Sequence, residues 1–575
     1  MSHAMRLWLF ALLASACAST PPVPDYPPLE EVPSLAEPEP TAPRRVTISV
    51  VGTNDVHGHF ERLPLFGGIL RNLRAAREAD GGAVVLLDGG DMWQGTLASN
   101  LDEGAAMVRA FGALGYDAVT IGNHEFDYGP IGEPATPRAA TDDPRGALLA
   151  RVAEARFPVL GAAFLDAASG EPVRWEGVRR AVMLEKAGVK IGVIGVSTEE
   201  TLTTTIAANV RDLRMAPLAE TITELSASLR AEGASLVLVA AHAGGHCREF
   251  DDPDDLSSCN HDEEVFELAR ALQPGVVEVI VAGHTHRGVA HRVNGIAILE
   301  SFALGRAFGR ADLVLEDGRL VETRIHPPRF FCPAEEEAME CPPGEYEGAP
   351  VEADQVVAEI ANAASAMAAE REAESMNVRF TTEMWRHYVN ESPLGNFLAD
   401  LVLEARPRAD VAVINAGGIR ASFDEGPLTY GELYETFPFD NRFATVRMTV
   451  AQAKEILRFH LLRDDGALCI AGLRVEARCE GDALAITIRD RRGRVLRDDR
   501  TITIATSDYL ATTPVFEGLP EGAVVLEESE PIREAIADRL RRRSGDVDPA
   551  RFYDASNPRF ALPTPRPVRC APASP

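Results

Sequence analysis

Apolar and polar residues along this chain come in blocks. β-branched, water-avoiding runs at 46–51, 83–87, 117–121, 236–241 and 276–282 each stop abruptly at polar residues. Between them, stretches at 68–78, 104–114, 218–232 and 264–272 read as helices, and runs at 158–162, 190–196, 297–301 and 309–315 predict further strands. Strands that alternate with helices predict an α/β fold, a sheet covered by helices.

The residues on which the five runs end carry the chemistry. The first ends at Asp55 and His57, the second at Asp91, the third at Asn123 and His124, the fourth at His242 and the fifth at His284 and His286. The carboxyl ends of strands are where an α/β sheet displays functional groups. Asp, Asn and His are oxygen and nitrogen ligands suited to Zn²⁺, Mn²⁺, Fe or Co²⁺. One Asp-x-His is common in turns, but five such ends in chain order point to a site. In an extended segment residues i and i+2 point the same way, so Asp55 with His57, and His284 with His286, are each expected to aim at one metal centre. Of the 13 histidines, His59 and His246 lie near these ends without an assigned role, and His326 and His460 are read as incidental.

At 575 residues the chain is long enough for more than one core. Composition changes at 330–350, which is Pro-rich and acidic, and 351–375 reads as an Ala- and Glu-rich helix connecting two regions. A second α/β region follows to about residue 562, then a Pro-rich tail. A formal net charge of −30 argues against a nucleic-acid polymer as ligand, since that requires basic surface.

The N-terminus reads as a targeting segment. Arg6 precedes an apolar run at 7–13, too short to span a membrane, followed by Ala14-Ser15-Ala16-Cys17. Small residues before Cys17 resemble a bacterial lipobox, in which the Cys is lipidated; Ala14-x-Ala16 equally suits ordinary signal peptidase at the same bond. Residues 20–44, rich in Pro and Glu, read as an extended tether. The expectation is an exported monomer in the cell envelope, on its periplasmic face or at the surface, held to a membrane through Cys17 if that residue is lipidated. Seven further cysteines suit an oxidising compartment. Their spacing suggests Cys247–Cys259, Cys332–Cys341 and Cys469–Cys479 as short staples and leaves Cys570 free, or bridged to an unlipidated Cys17.

Taken together, Asp55-Val56-His57, Gly90-Asp91-Met92-Trp93-Gln94-Gly95, Gly122-Asn123-His124-Glu125-Phe126-Asp127, His242 and Gly283-His284-Thr285-His286 resemble the calcineurin-like metallophosphoesterases. Within them the closest resemblance is to the group of 5′-nucleotidases, UDP-sugar hydrolases and 2′,3′-cyclic-nucleotide phosphodiesterases. The resemblance implies a four-layer sandwich, two sheets flanked by helices, over 45–345. A linking helix at 346–376 and a C-terminal α/β substrate-binding domain at 377–563 would follow, with 1–17, 18–44 and 564–575 as export segment, tether and tail. It implies two divalent metal ions, the first held by Asp55, His57, Asp91 and His286, the second by Asp91, Asn123, His242 and His284. A hydroxide bridging them would attack phosphorus in line. His124, oriented by Asp127, would stabilise the transition state or protonate the leaving oxygen.

The second half carries related motifs. Glu391-Ser392-Pro393-Leu394-Gly395-Asn396 and Asn415-Ala416-Gly417-Gly418-Ile419-Arg420 resemble the family's ES-x-x-GN and N-x-GGIR stretches. Asn415, Gly417, Gly418 and Arg420 would line the substrate pocket, with Phe439 and Tyr509 sandwiching a flat base. Relatives follow the second aromatic with a GGDG-like loop; here Thr512-Thr513-Pro514-Val515-Phe516 stands instead, with no acid and one backbone donor fewer. The basic position that some relatives use for a terminal phosphate is not evident in Arg386-His387-Tyr388-Val389-Asn390. A small-molecule phosphate ester, above all a nucleotide, is the implied substrate. The altered loop keeps a second reading open, a hydrolase of a sulfate group carried on a protein thiol, as in sulfur oxidation; a third, a surface binding protein that keeps the fold without turnover, is opposed by the intact metal ligands.

Overall fold

The computed structural model describes residues 44–132, 135–137, 139–332, 344–463, 466–513, 516, 518–520 and 522–570. The expected export segment and all of the expected tether but Arg44 therefore lie outside the described residues, as do Cys341, Pro514 and Val515.

Two sheets face each other in the first half. One has seven strands in the order Arg319–Phe330, Ala307–Glu316, Arg45–Thr53, Ala83–Asp88, Ala118–Thr120, Val159–Leu160, Val178–Arg179. Five of these run parallel and Ala307–Glu316 pairs antiparallel to Arg45–Thr53. The other has six, in the order Gly288–Val293, Ile296–Ser301, Val279–Ala282, Leu236–His242, Val189–Ser197, Ala181–Lys186. Ile48, Val50, Leu87, Leu160, Val193, Leu238, Val281 and Leu313 fill the space between them. The sheets approach so closely at Gly195 that a Cβ there would overlap Leu160. Strands buried on both faces explain why the runs are continuously apolar.

Helices cover both outer faces. Leu63–Ala79 and Ala105–Leu114 pack on the first sheet, Leu218–Ala231 and Glu264–Ala271 on the second. The connecting helix, Gln355–Glu372, is more than a connector. Asp354 caps it by accepting from the N–H groups of Val356 and Val357. Val357, Ala361, Ala364 and Ala368 form a buried stripe against the outer helical layer. Alanines carry that stripe, so little apolar contrast marked it in the sequence.

The second half is built on a five-stranded sheet in the order Leu468–Ala471, Val411–Asn415, Thr501–Ser507, Arg442–Thr449, Val524–Pro531. The helices Pro393–Ala405, Val450–Leu461 and Ile532–Arg542 accompany it. The described residues from Arg44 onward pack as one unit.

The cysteine expectation is partly overturned. Cys247–Cys259 is bonded, but Cys479 bonds Cys570 and Cys469 is a free, buried thiol. Cys469 sits on the five-stranded sheet with its sulfur against Gly395, whereas Cys479 lies at the far end of Leu473–Glu480 in a different sheet. The tail comes back to meet it: Phe560–Ala561 joins that sheet and Val568 is fully buried. A bridge from Cys17 to Cys570 is excluded for the same reason. The Cys332–Cys341 expectation falls outside the described residues.

Candidate metal centre and active site

The five strand ends meet in one hollow, but not by the extended geometry that the spacing suggested. Asp55, His57, Asp91, His284 and His286 all have positive φ, between 50° and 88°. That region disfavours side chains of this kind, and such residues cluster where function holds the backbone in place. Asp55 and His57 turn toward the same cluster through two left-handed kinks. His284 and His286 diverge into two.

In the first cluster, the His57 Nδ1–H donates to the Gln94 carbonyl at 2.7 Å, which leaves Nε2 as a lone pair. That Nε2 lies 3.0 Å from His286 Nε2, 3.7 Å from Asp91 Oδ2 and 4.0 Å from Asp55 Oδ1. Asp55 Oδ1 is 3.4 Å from His286 Nε2 and is buried without a hydrogen-bond partner. In the second, the His242 Nδ1–H donates to the Gly89 carbonyl at 2.8 Å. Its Nε2 faces Asn123 Oδ1 at 2.8 Å and Asp91 Oδ2 and His284 Nδ1, each at 3.2 Å. The Asn123 amide is oriented by its Nδ2–H, which donates to the Thr204 carbonyl at 3.1 Å.

Two sets of acceptors thus converge with few protons between them, and Asp91 Oδ2 belongs to both. Asp55, His57 and His286, and again Asp55, Asp91 and His242, place ligand atoms within 4.8 Å of one another. An orphaned carboxylate oxygen among imidazole lone pairs is the donor set that divalent cations take, so the residues present fit a metal centre. Electrostatics agree. Burial pushes the Asp55 carboxyl up, but His286 and His242 outweigh it and hold it well below the usual carboxylate range. Burial pulls His242 down, but Asp91 and Asp55 outweigh it and push it up to about 10. The two carboxylates demand a positive charge, as a proton or as a cation.

Beside this centre, His124 Nδ1 lies 2.6 Å from Asp127 Oδ2. Burial opposes a charge on His124, yet Asp127 and Asp91 outweigh it and raise its pKa. The backbone N–H of His124 donates to Asp91 Oδ1 at 2.9 Å, tying the pair to the metal-type cluster.

The second half supplies the opposite wall. The Phe439 ring stacks on the His124 ring, with centroids 5.4 Å apart and planes inclined by 28°, and the Arg420 guanidinium sits 5.7 Å from the Phe439 centroid. Arg386 donates to the Ile419 carbonyl at 2.9 Å. Neither arginine has a carboxylate partner among the described residues, and burial lowers both. Asn415 packs beside Gly418. The Tyr509 hydroxyl donates to the Thr203 carbonyl at 3.1 Å. Glu391 and Asn396 stand elsewhere, bonded to each other and to backbone groups of Phe552, Arg559 and Phe560. His59 faces Glu61, outside the cluster.

Sequence reasoning missed the braces. Glu125 accepts from the N–H groups of Asp91, Met92 and Gly122, at 2.9, 2.8 and 2.6 Å. Asn54 donates to Asp55 Oδ2 and accepts from Ser301 N. It also missed residues 198–205, although they follow a sixth buried strand, Val189–Ser197, and so share the placement of the other five ends.

Residues 48–288 match the family model of the calcineurin-like phosphoesterases, and residues 366–515 that of the 5′-nucleotidase C-terminal domain. Residues 48–288 are thus a calcineurin-like phosphoesterase domain. The chain is a metal-dependent hydrolase with a nucleotidase-type second half. This phosphoesterase is 27% identical to the 5′-nucleotidase of Vibrio vulnificus, over 72% of this chain and 74% of that protein. It is 26% identical to protein UshA of Escherichia coli, over 72% and 75%. Its fold resembles that of a 5′-nucleotidase precursor from Thermus thermophilus, with a TM-score of 0.67 and 23% identity over 87% of this chain and 97% of that one. The fold is also like that of the sulfate thiohydrolase SoxB from Thermus thermophilus, at 0.65 and 17% identity over 91% and 98%.

Proposed function

We propose that this phosphoesterase hydrolyses the phosphate ester of a nucleotide, with Asp55, His57, Asp91 and His286 holding one divalent cation and Asp91, Asn123, His242 and His284 a second. The observation that carries the reading is the carboxylate of Asp91, shared by two acceptor clusters and bonded through its other oxygen to the backbone of His124. When bound, a pair of such cations supplies an activated water and polarises the phosphoryl oxygens. The chain's own residues do the rest. Asp127 keeps the proton on His124 Nδ1 and favours the charged ring, so that Nε2 can give a proton to the departing ester oxygen. Arg420 and Arg386, cations in a chain of net charge −30, hold the anion. Phe439 offers its face to a base, with Tyr509, Asn415 and the open backbone at Gly417 and Gly418 as the remaining wall.

Export through the N-terminal segment, with lipidation at Cys17, accords with the Cys247–Cys259 and Cys479–Cys570 disulfides, since such bonds persist in oxidising compartments. Among the described residues no helix is long and apolar enough to cross a membrane. We assign catalysis to 45–345 and substrate selection to 377–563.

The test is a substrate screen with Mn²⁺, Zn²⁺ and Co²⁺ supplied in turn, covering 5′-, 3′- and cyclic 2′,3′-nucleotides, UDP-glucose and a sulfonated thiol. Nucleotide turnover is expected, reduced about 10²–10⁴-fold in His124→Ala. Turnover of the sulfonated thiol alone would move the chain to the second reading, and an unchanged His124→Ala would overturn the mechanism.

A further inference from the structure

Residues 198–205 follow the strand Val189–Ser197 and hang from the end of the neighbouring one, where Thr198 N donates to the His242 carbonyl at 2.8 Å. Within the segment, hydroxyls bond back to carbonyls: Thr201 to Thr198, Thr203 and Thr204 both to Glu200, at 2.8, 2.9 and 2.9 Å. These bonds brace the turn against itself.

Three successive residues of that turn each hold a different part of the site. The Thr205 hydroxyl donates to Asp127 Oδ1 at 2.7 Å, while the other oxygen of Asp127 holds His124. The Thr204 carbonyl accepts from Asn123 Nδ2 and so keeps Asn123 Oδ1 turned toward His242 and His284. The Thr203 carbonyl accepts from the Tyr509 hydroxyl, which comes from the second half of the chain. Thr205 is buried at 2% exposure, and among the described residues its hydroxyl has one acceptor, Asp127 Oδ1. Consecutive carbonyls and side chains in a stiff turn cannot shift independently.

We propose that residues 200–205 are a relay between the substrate-selecting half and the catalytic pair. Thr205 is the positioning residue for Asp127, and through it for His124, and the docking of Tyr509 on Thr203 sets the relay. The inference rests on the phosphoesterase reading and assigns its control to residues outside the five strand ends. Without the Thr205 hydroxyl, Asp127 Oδ1 loses its donor and the carboxylate can swing about its own χ2. His124 then spends less time aimed at the leaving oxygen, while the arginines and Phe439 still hold the substrate.

The experiment uses the full, metal-loaded chain, with a 5′-nucleotide and with p-nitrophenyl phosphate, which carries no base. Thr205→Val is expected to lower kcat about 10–100-fold on both, with KM changed less than about 3-fold, because misplacing a group by an ångström costs on that order. Thr205→Ser, which restores the hydroxyl, is expected to recover most of the loss. Tyr509→Phe keeps the ring and removes the hydroxyl. It is expected to lower kcat more modestly, and the double variant Thr205→Val/Tyr509→Phe to fall short of the product of the two single effects. In proton NMR, the low-field Nδ1–H resonance that disappears in His124→Ala is expected to shift in Thr205→Val and to return in Thr205→Ser. Should Thr205→Val misfold, as read by thermal unfolding, Thr205→Cys serves in its place. A wild-type kcat without the hydroxyl, no recovery in Thr205→Ser, or effects that simply multiply would overturn the relay. A wild-type chain inactive on every ester would overturn the phosphoesterase reading instead.

Discussion

Individual residues at this centre carry strain, and Glu125 is the residue that holds it. Its carboxylate gathers three backbone N–H groups from two strand ends, Gly122 on one and Asp91 and Met92 on the other. Burial raises its pKa to about 7, with Asp91 adding to the rise and the N–H groups of Met92 and Gly122 opposing it. Removing the acceptor strands three buried donors, at about 1–3 kcal/mol each. Glu125→Ala is therefore expected to lose about 3 kcal/mol or more in denaturant unfolding and to retain less metal on dialysis, read by elemental analysis. Glu125→Gln, which keeps one good acceptor, is expected to lose less. The residue was in plain view in the sequence, inside the Gly122–Asp127 motif, but its partners were not. Which N–H groups a carboxylate gathers depends on how adjacent strand ends are turned.

Among elements, the far edge of the first sheet shows a different kind of tie. Asp312, on Ala307–Glu316, accepts from Ser49 on Arg45–Thr53 at 2.5 Å and pairs with Arg310 and with His326 on Arg319–Phe330, at 2.9 Å each. Three neighbouring strands are cross-linked by one carboxylate. Burial pushes Asp312 up, but His326, Arg310 and Ser49 outweigh it and hold it well below the usual carboxylate range. A group whose folded pKa is depressed contributes stability above its unfolded pKa and loses it as pH falls through the folded value. The acid limb of unfolding, below about pH 4, is thus expected to be shallower in Asp312→Asn, measured by urea midpoint against pH. His326, which the sequence left as incidental, is half of this tie. Strand order brings Asp312 and His326 side by side, and no local pattern reports strand order.

At the scale of the molecule, two halves that share few sequence signals are bound into one unit. Gln355–Glu372 packs a stripe of alanines on the first half, Tyr434 receives a hydrogen bond from Asn100 at 2.9 Å, and Tyr509 reaches Thr203. The last residues are held too, by the bond between Cys479 and Cys570 across 91 positions. Closing a loop of that length removes chain entropy worth about 4.6 kcal/mol in the simplest treatment, and measured losses run at about 2–5 kcal/mol. Cys479→Ser is expected to lower the stability of the second half by about 2–4 kcal/mol in denaturant unfolding and to leave a free thiol at Cys570. Cys469→Ser is expected to leave the disulfide map unchanged, read by peptide mass after alkylation.

Local chemistry was decided by sequence alone: buried strands follow from continuous apolar runs, and ligand types from the residues that end them, because both are properties of neighbours along the chain. The nucleotidase-type second half was legible in its motifs for the same reason. The tertiary structure alone decided how those ends turn, through positive φ at Asp55, His57, Asp91, His284 and His286. It also decided that His284 and His286 part company, that Thr205 stands behind Asp127, and that Cys479 finds Cys570 rather than Cys469. Each of these depends on which strands become neighbours, and that is settled by the packing of whole sheets, a balance summed over hundreds of contacts that no short stretch of residues encodes.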